Sequence, residues 1–149
     1  MKDPRLTTFL WFESGLDEAL ELYAQLVSDF EVKSRNLNPA NKQLFVAEFS
    51  MLGQDFIGMC IPGGEKFNTS ISLSLQVDGQ DEVDRIWNLI TAQGEEGRCG
   101  WCKDKFGVSW QVIPYQMQEH LGNPDPEKSL YANSQLMRMN KIIIAELAQ

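Results

Sequence analysis

Histidine is almost missing from this sequence: His120 is the only one among 149 residues. Imidazole is the commonest side-chain ligand for transition metals, so a site built on two or more histidines of one chain is excluded. Cysteine is scarce as well. Three of them, an odd count, do not make the disulfide framework of a small secreted domain, and free thiols in a reducing compartment are expected. Basic residues are outnumbered, with 13 Lys and Arg against 21 Asp and Glu, and no basic cluster offsets the net charge of −8. A phosphate backbone would be repelled, which removes nucleic acid as a partner. No apolar run approaches the roughly 18 residues a membrane helix needs. The N-terminal "MKDPRLTTFLWFES" carries only a short apolar run with no small-residue cleavage site after it, so a soluble cytoplasmic protein is expected, with no membrane partner. What is present is ordinary: 43% hydrophobic and 23% charged residues, without low-complexity stretches, which predicts one globular domain over residues 1–149.

The informative pattern is a repeat. "TTFLWF" alternates and is followed by "LDEALELYAQLV", where Leu16, Ala19, Leu20, Tyr23 and Leu26 form one helical stripe. "SISLSLQVD" then precedes "DEVDRIWNLI", where Val83, Ile86, Trp87 and Ile90 do the same. At an offset of 64, Asp17-Glu18-Ala19 meets Asp81-Glu82-Val83, Tyr23 meets Trp87 and Thr8 meets Ser72. Strand-like segments follow each helix, with Asn38-Pro39, Leu52-Gly53 and Asp104 to Gly107 as turns between them. An α+β fold of two tandem β-α-β-β-β modules is predicted, repeat 1 over about 5–62 and repeat 2 over about 70–115, forming a curved mixed sheet. A helical tail over about 116–149 follows, with Asp125 as N-cap and Pro126 at the first helical position.

Because side chains alternate along a strand, each strand predicts one covered and one open face. Leu73, Leu75 and Val77 oppose Ser72, Ser74 and Gln76; Phe45, Ala47 and Phe49 oppose Val46, Glu48 and Ser50; Val108, Trp110 and Val112 oppose Ser109, Gln111 and Ile113. The helices should cover the first set of each pair, and the second should line a concave surface. Trp11 shares its face with Phe9, and both are expected under a helix with Trp87 and Trp110.

"FLWF", "EALELY", "GGEKFN", "DEVDRIW", "GEEGRCGWCKDKFGVSWQVIP" and "NPDPEK" resemble the PhnB-like branch of the vicinal oxygen chelate superfamily. That branch is often labelled a 3-demethylubiquinone 3-methyltransferase domain, and the superfamily includes glyoxalase I and the fosfomycin and bleomycin resistance proteins. The label is not matched by a Gly-rich loop opening a helix, since Gly63-Gly64 leads into "EKFNTSISLS"; no methyl transfer and no cofactor are expected. In active members of the superfamily His and Glu hold a divalent metal. The resemblance puts those positions on Thr8, Ser72 and Gln111, with a fourth near Ile57 or Met59. Hydroxyls and an amide are poor substitutes for imidazole and carboxylate, so no metal is expected. His120, beyond the last strand, is assigned to a solvated loop or helix end.

Cys99-Gly100-Trp101-Cys102 has redox or half-zinc spacing, but a strand follows it and not a helix, and no second pair exists. If residues 99–103 are extended, the two thiols face opposite ways, and both are expected to pack as small apolar groups. Trp101 is either packed or a platform for a flat ligand. Three functional readings follow. The first is a module binding a small molecule through Thr8, Glu48, Ser72, Ser74, Gln76, Trp101 and Gln111. The second is a divalent-metal-dependent lyase, isomerase or dioxygenase. The third is an interaction protein whose cup is filled by a partner or by its own tail. Exposed sheet edges add the expectation of a homodimer.

Overall fold

Each copy of the repeat becomes a unit of its own in the computed structural model, which describes all residues, Met1–Gln149; one unit is Met1–Lys66 and the other Phe67–Gln149. The first contains β1 (Thr8–Phe12), α1 (Leu16–Leu26), β2 (Phe30–Leu37), β3 (Leu44–Met51) and β4 (Gln54–Cys60). The second contains β5 (Ser72–Val77), α2 (Gln80–Thr91), β6 (Glu95–Glu96), β7 (Trp101–Lys103) and β8 (Ser109–Pro114), then α3 (Tyr115–Leu121), α4 (Pro126–Leu136) and a final 3-10 turn at Ile144–Leu147. The fold is α+β, and its strands make two four-stranded mixed sheets, ordered β1-β4-β3-β2 and β5-β8-β7-β6. In each, the first strand runs parallel to the last and the others pair antiparallel.

The helices form where the apolar stripes predict them. Leu16, Ala19, Leu20, Tyr23 and Leu26 are buried on α1, and Val83, Ile86, Trp87 and Ile90 on α2. Burial of each large side chain contributes about 1.5–3 kcal/mol, and this outweighs modest helix propensity in such short segments. Neither helix has a side-chain N-cap, while Asp17 and Glu18, and Asp81 and Glu82, stand in the first turns and complement the helix dipole. Against α1 the sheet presents Phe49, stacked on Phe56 at 5.2 Å between ring centroids. The tail matches its expected start: Asp125 accepts a hydrogen bond from the Glu127 amide, with Pro126 opening α4. No helix is long and apolar enough to cross a membrane.

Two expectations are corrected in β1. Phe9 and Trp11 are not under a helix; they are 53% and 40% exposed, whereas Leu10 and Phe12 are buried. Thr8, on the face of Leu10 and Phe12, pairs in register with buried Phe56 and so points to the covered side. The cause is a loop. Glu13-Ser14-Gly15 joins β1 to α1, but only Asp78-Gly79 joins β5 to α2, so an alignment counted from the helices slips the strand by one residue. A slip of one turns every side chain to the opposite face. The structural equivalent of Ser74 is Phe9, and that of Gln76 is Trp11.

Candidate functional site

The segment "CKDKFGVSWQ" is held by one carboxylate. Asp104, 3% exposed, accepts from the amides of Phe106 and Val108 through Oδ1 and from the Trp110 indole N–H through Oδ2, at 2.9–3.0 Å. Three donors compensate the cost of burying its charge, and together they close the β7–β8 turn. The turn sets the register, with Cys102 opposite Trp110 and Trp101 opposite Gln111. Trp110 and Cys102 then enter the core, and Gln111 and Trp101 face the other way. The sequence places a turn at Asp104 to Gly107 but not the part its carboxylate plays; the signal for that is an acid two residues before an aromatic and six before a tryptophan.

On the open face of the second sheet, pairing aligns Ser74 on β5, Gln111 on β8 and Trp101 on β7 in one row. Adjacent strands are about 4.8 Å apart, so the row spans about 10 Å. Gln111 Nε2 donates to Ser72 Oγ at 3.0 Å, tying the amide to the neighbouring row. Both ends of the face are covered. Ser109, expected to be open, is buried and lies with its hydroxyl 3.4 Å from the Asn68 carbonyl, to which it donates. Ile113, also expected to be open, is buried with Met117, Ala132, Met139, Ile142 and Leu147 of the tail. Between these covers lies the row of exposed Ser74 and half-buried Gln111 and Trp101; Gln76, in the row of Ile113, stays exposed, and Ser72, in the row of Ser109, is half-buried. Five of the seven residues expected to bind a ligand therefore share one bounded polar face.

The other two lie in the first unit and do not share a face. Thr8 points to the covered side, as described above. Glu48 is exposed on the open face, aligned with Phe9, Ile57 and Ser34, and accepts from Ser34 Oγ at 3.3 Å. The next row is Trp11, Met59, Val46 and Asn36. Trp11 is fastened there: its indole N–H donates to the Ile61 carbonyl at 2.8 Å, and a Cβ on Gly64 would meet its ring at 2.7 Å, so only glycine fits against it. At the far end of this face Asp55 accepts from Lys33 and Arg5, each at 2.8 Å. The Lys33 hydrogen bond, helped by Arg5, holds its carboxyl below the ordinary 3.8.

The thiols behave differently from one another. Cys102 is buried, and burial pushes its pKa up to about 12, aided by Asp104 and Glu96. Cys99 is not extended as expected; it sits in a left-handed turn with φ of 59°, its thiol 3.5 Å from the Leu136 carbonyl. All three cysteines are free. His120 lies in the last turn of α3. A cavity of about 770 Å³ in the first unit, lined by Glu13, Asp17, Lys42 and Cys60 among others, contains none of the expected site residues.

Residues 4–113 match the family model described as 3-demethylubiquinone-9 3-methyltransferase. No curated protein matches the chain. Among solved structures, the PhnB protein from Bacillus cereus is 26% identical with a TM-score of 0.69, covering 74% of this chain and 99% of its own. Protein PA1353 from Pseudomonas aeruginosa is 20% identical with a TM-score of 0.61, over 75% of this chain and 98% of its own. The fosfomycin resistance protein FosX from Listeria monocytogenes, solved with Mn(II) and sulfate, is 15% identical with a TM-score of 0.56, over 75% of this chain and 92% of its own. The open face of the second sheet does not fit such an ion. Its oxygen and nitrogen groups at Ser72, Ser74, Gln76 and Gln111 are neutral, and the Gln111 amide is engaged with Ser72. Nowhere in the chain do three His, Cys, Asp or Glu side chains gather as a metal-binding group.

Proposed function

The chain belongs to the family described as 3-demethylubiquinone-9 3-methyltransferase, with the fold of the PhnB and fosfomycin resistance proteins, and from that premise we propose that it binds a small molecule without a metal. The observation that carries this reading is the row Ser74, Gln111 and Trp101, open in the middle of a sheet whose two ends are covered. Hydroxyl and amide offer both donors and acceptors, and the indole offers a flat apolar surface within about 5 Å of the amide. This combination suits a planar ring bearing a polar substituent, stacked on Trp101 and hydrogen-bonded to Gln111 and Ser74. The family's description is not carried over to activity. α1 and α2 open after Glu13-Ser14-Gly15 and Asp78-Gly79, and neither loop is the glycine-rich phosphate cradle of a nucleotide cofactor.

The proposal includes a homodimer in the cytoplasm. Strands β2 and β6, each with a neighbour on one side only within its sheet, and three free thiols support it. Native mass spectrometry of untreated protein tests the dimer, the ligand and the lack of metal together. A dimer of 17.0 kDa chains carrying an organic adduct of a few hundred daltons or less, with its occupancy reduced by Gln111→Ala, is the expected result. Near-stoichiometric transition metal lost on the same substitution would overturn the reading in favour of a metal-dependent lyase, isomerase or dioxygenase.

A further inference from the structure

The C-terminal tail lies outside both the repeat and the family match, which ends at residue 113, and the Bacillus cereus relative is covered over 99% of its length by only 74% of this chain. This segment beyond the family match is nevertheless held by a dense set of specific bonds. Gln80, the first residue of α2, grips its backbone at two points: Nε2 donates to the Ile142 carbonyl at 2.9 Å, and Oε1 accepts from the Ile144 amide at 2.8 Å. Lys141 pairs with Asp84 one turn along the same helix, at 2.8 Å. Met139, Ile142 and Leu147 are buried against Ile113 and Met117.

The other end of this clamp is the turn that precedes Trp101. The Cys99 amide donates to the Met139 carbonyl and the Gly100 amide to the Asn140 carbonyl, each at 2.8 Å, and the Arg98 guanidinium donates to the Met137 carbonyl at 2.9 Å. The turn is closed internally by the Trp101 amide on the Arg98 carbonyl, and the Val112 amide reaches the Gly100 carbonyl at 2.8 Å. A Cβ on Gly100 would lie 3.0 Å from Ile113 and 3.1 Å from Ile142, so sheet, turn and tail meet at that residue. β7 is only three residues long with Trp101 at its first position: β8 pairs with it on one side, but on the other the Trp101 carbonyl accepts only from the Gly97 amide, at 2.8 Å, so the turn before it shares in holding Trp101.

From these contacts we infer that residues 137–147 are a positioning strap for the site on the second sheet: they set Trp101 through the Arg98–Gly100 turn and wall off the Ile113 end. The strap defines the length of ligand that the Ser74, Gln111 and Trp101 row accepts, and in this it rests on the binding reading proposed above. Trp101 is the residue positioned; Gln80, Arg98 and the tail act through it.

The test needs no ligand, so it can fail while the binding reading stands, and the reverse. In the full-length protein, subtracting the emission of Trp101→Phe from that of the parent isolates Trp101 among the four tryptophans. The same subtraction is made in a Gln80→Ala/Arg98→Met background, with hydrogen exchange followed at the Cys99 and Gly100 amides. Exchange at both amides at least tenfold faster, with the acrylamide quenching constant of Trp101 at least doubled and that of the other three tryptophans unchanged, is the expected result. Faster exchange with Trp101 quenching unchanged overturns the proposal, as does a rise shared by all four tryptophans. Amides that stay protected in the double variant overturn it too. If the double variant does not fold, the single variants Gln80→Ala and Arg98→Met are read by the same criteria.

Discussion

The two sheets share a strand order and differ in the length of their outer strands and, most of all, on one side. Toward the helices both are apolar, with Leu10, Phe12 and Phe49 in the first and Leu75, Val77 and Trp110 in the second, all buried. Away from the helices the first presents Phe9, Trp11, Val46, Ile57 and Met59 around Glu48, and the second presents Ser72, Ser74, Gln76 and Gln111 around Trp101. A helix packed on a sheet imposes the same requirement on both copies, because any polar group there loses water without a partner. The open side carries no such requirement, and there the copies have diverged, the first to a mixture of apolar and charged groups and the second to mostly neutral polar ones. Conserving the plan while changing the open face lets one fold present different surfaces on its two halves.

The comparison breaks hardest at the carboxylates. Asp104 and Asp55 each accept from several donors, but one is buried and the other faces water. Asp104→Ala leaves the Trp110 indole and two amides without their acceptor and should cost about 3–5 kcal/mol in urea or thermal unfolding, whereas Asp55→Ala should move the midpoint far less. Equal shifts would mean that the β7–β8 turn is held by something else. Thiol reactivity separates the units next. Half-buried Cys60 should react with a disulfide reagent at pH 8 at least about 100-fold faster than Cys102, whose pKa near 12 leaves almost no thiolate, and Cys102 should react only on unfolding. Comparing Cys60→Ser and Cys102→Ser proteins assigns the phases.

Ligand affinity sharpens the comparison further. With the adduct recovered from native protein, Trp101→Ala and Gln111→Ala should each weaken binding by about tenfold, roughly the 1.4 kcal/mol expected for one stacking or hydrogen-bonding contact. Phe9→Ser on the first sheet should leave the affinity within about twofold, below 0.5 kcal/mol. A reversed order, measured by titration calorimetry, would move the site to the other open face. The smallest effect is on acid stability. Asp55 in the first unit is lowered by Lys33 and Arg5, and Asp84 in the second by Lys141 and Gln80. Since both folded carboxyls lie below their ordinary 3.8, their contribution is complete above that value and is lost as pH falls through and below it. Lys33→Met and Lys141→Met should each flatten the fall in thermal midpoint below that pH slightly.

Much of this was legible in the chain because it is written in local periods. Helical spacing located α1 and α2 to within a residue, and alternation assigned the faces of β3, β5 and β8 without any partner strand. The sequence by itself thus determined the repeat, the covered sides and the polar identity of Ser72, Ser74, Gln76 and Gln111. It did not decide the face of β1, because one extra residue between Phe12 and Leu16 lies outside any period, and a strand turned by one residue presents the opposite face. Nor did it decide that Ser109 and Ile113 would be covered, that Cys99 would turn left-handed, or that Asp104 would organise the β7–β8 turn. Each of those depends on a group distant in sequence or on a specific three-dimensional closure: the Asn68 carbonyl, the tail at Met139 and Ile142, the Trp110 indole. Side chains report their own preferences along the chain, but what covers them is set only when remote segments meet.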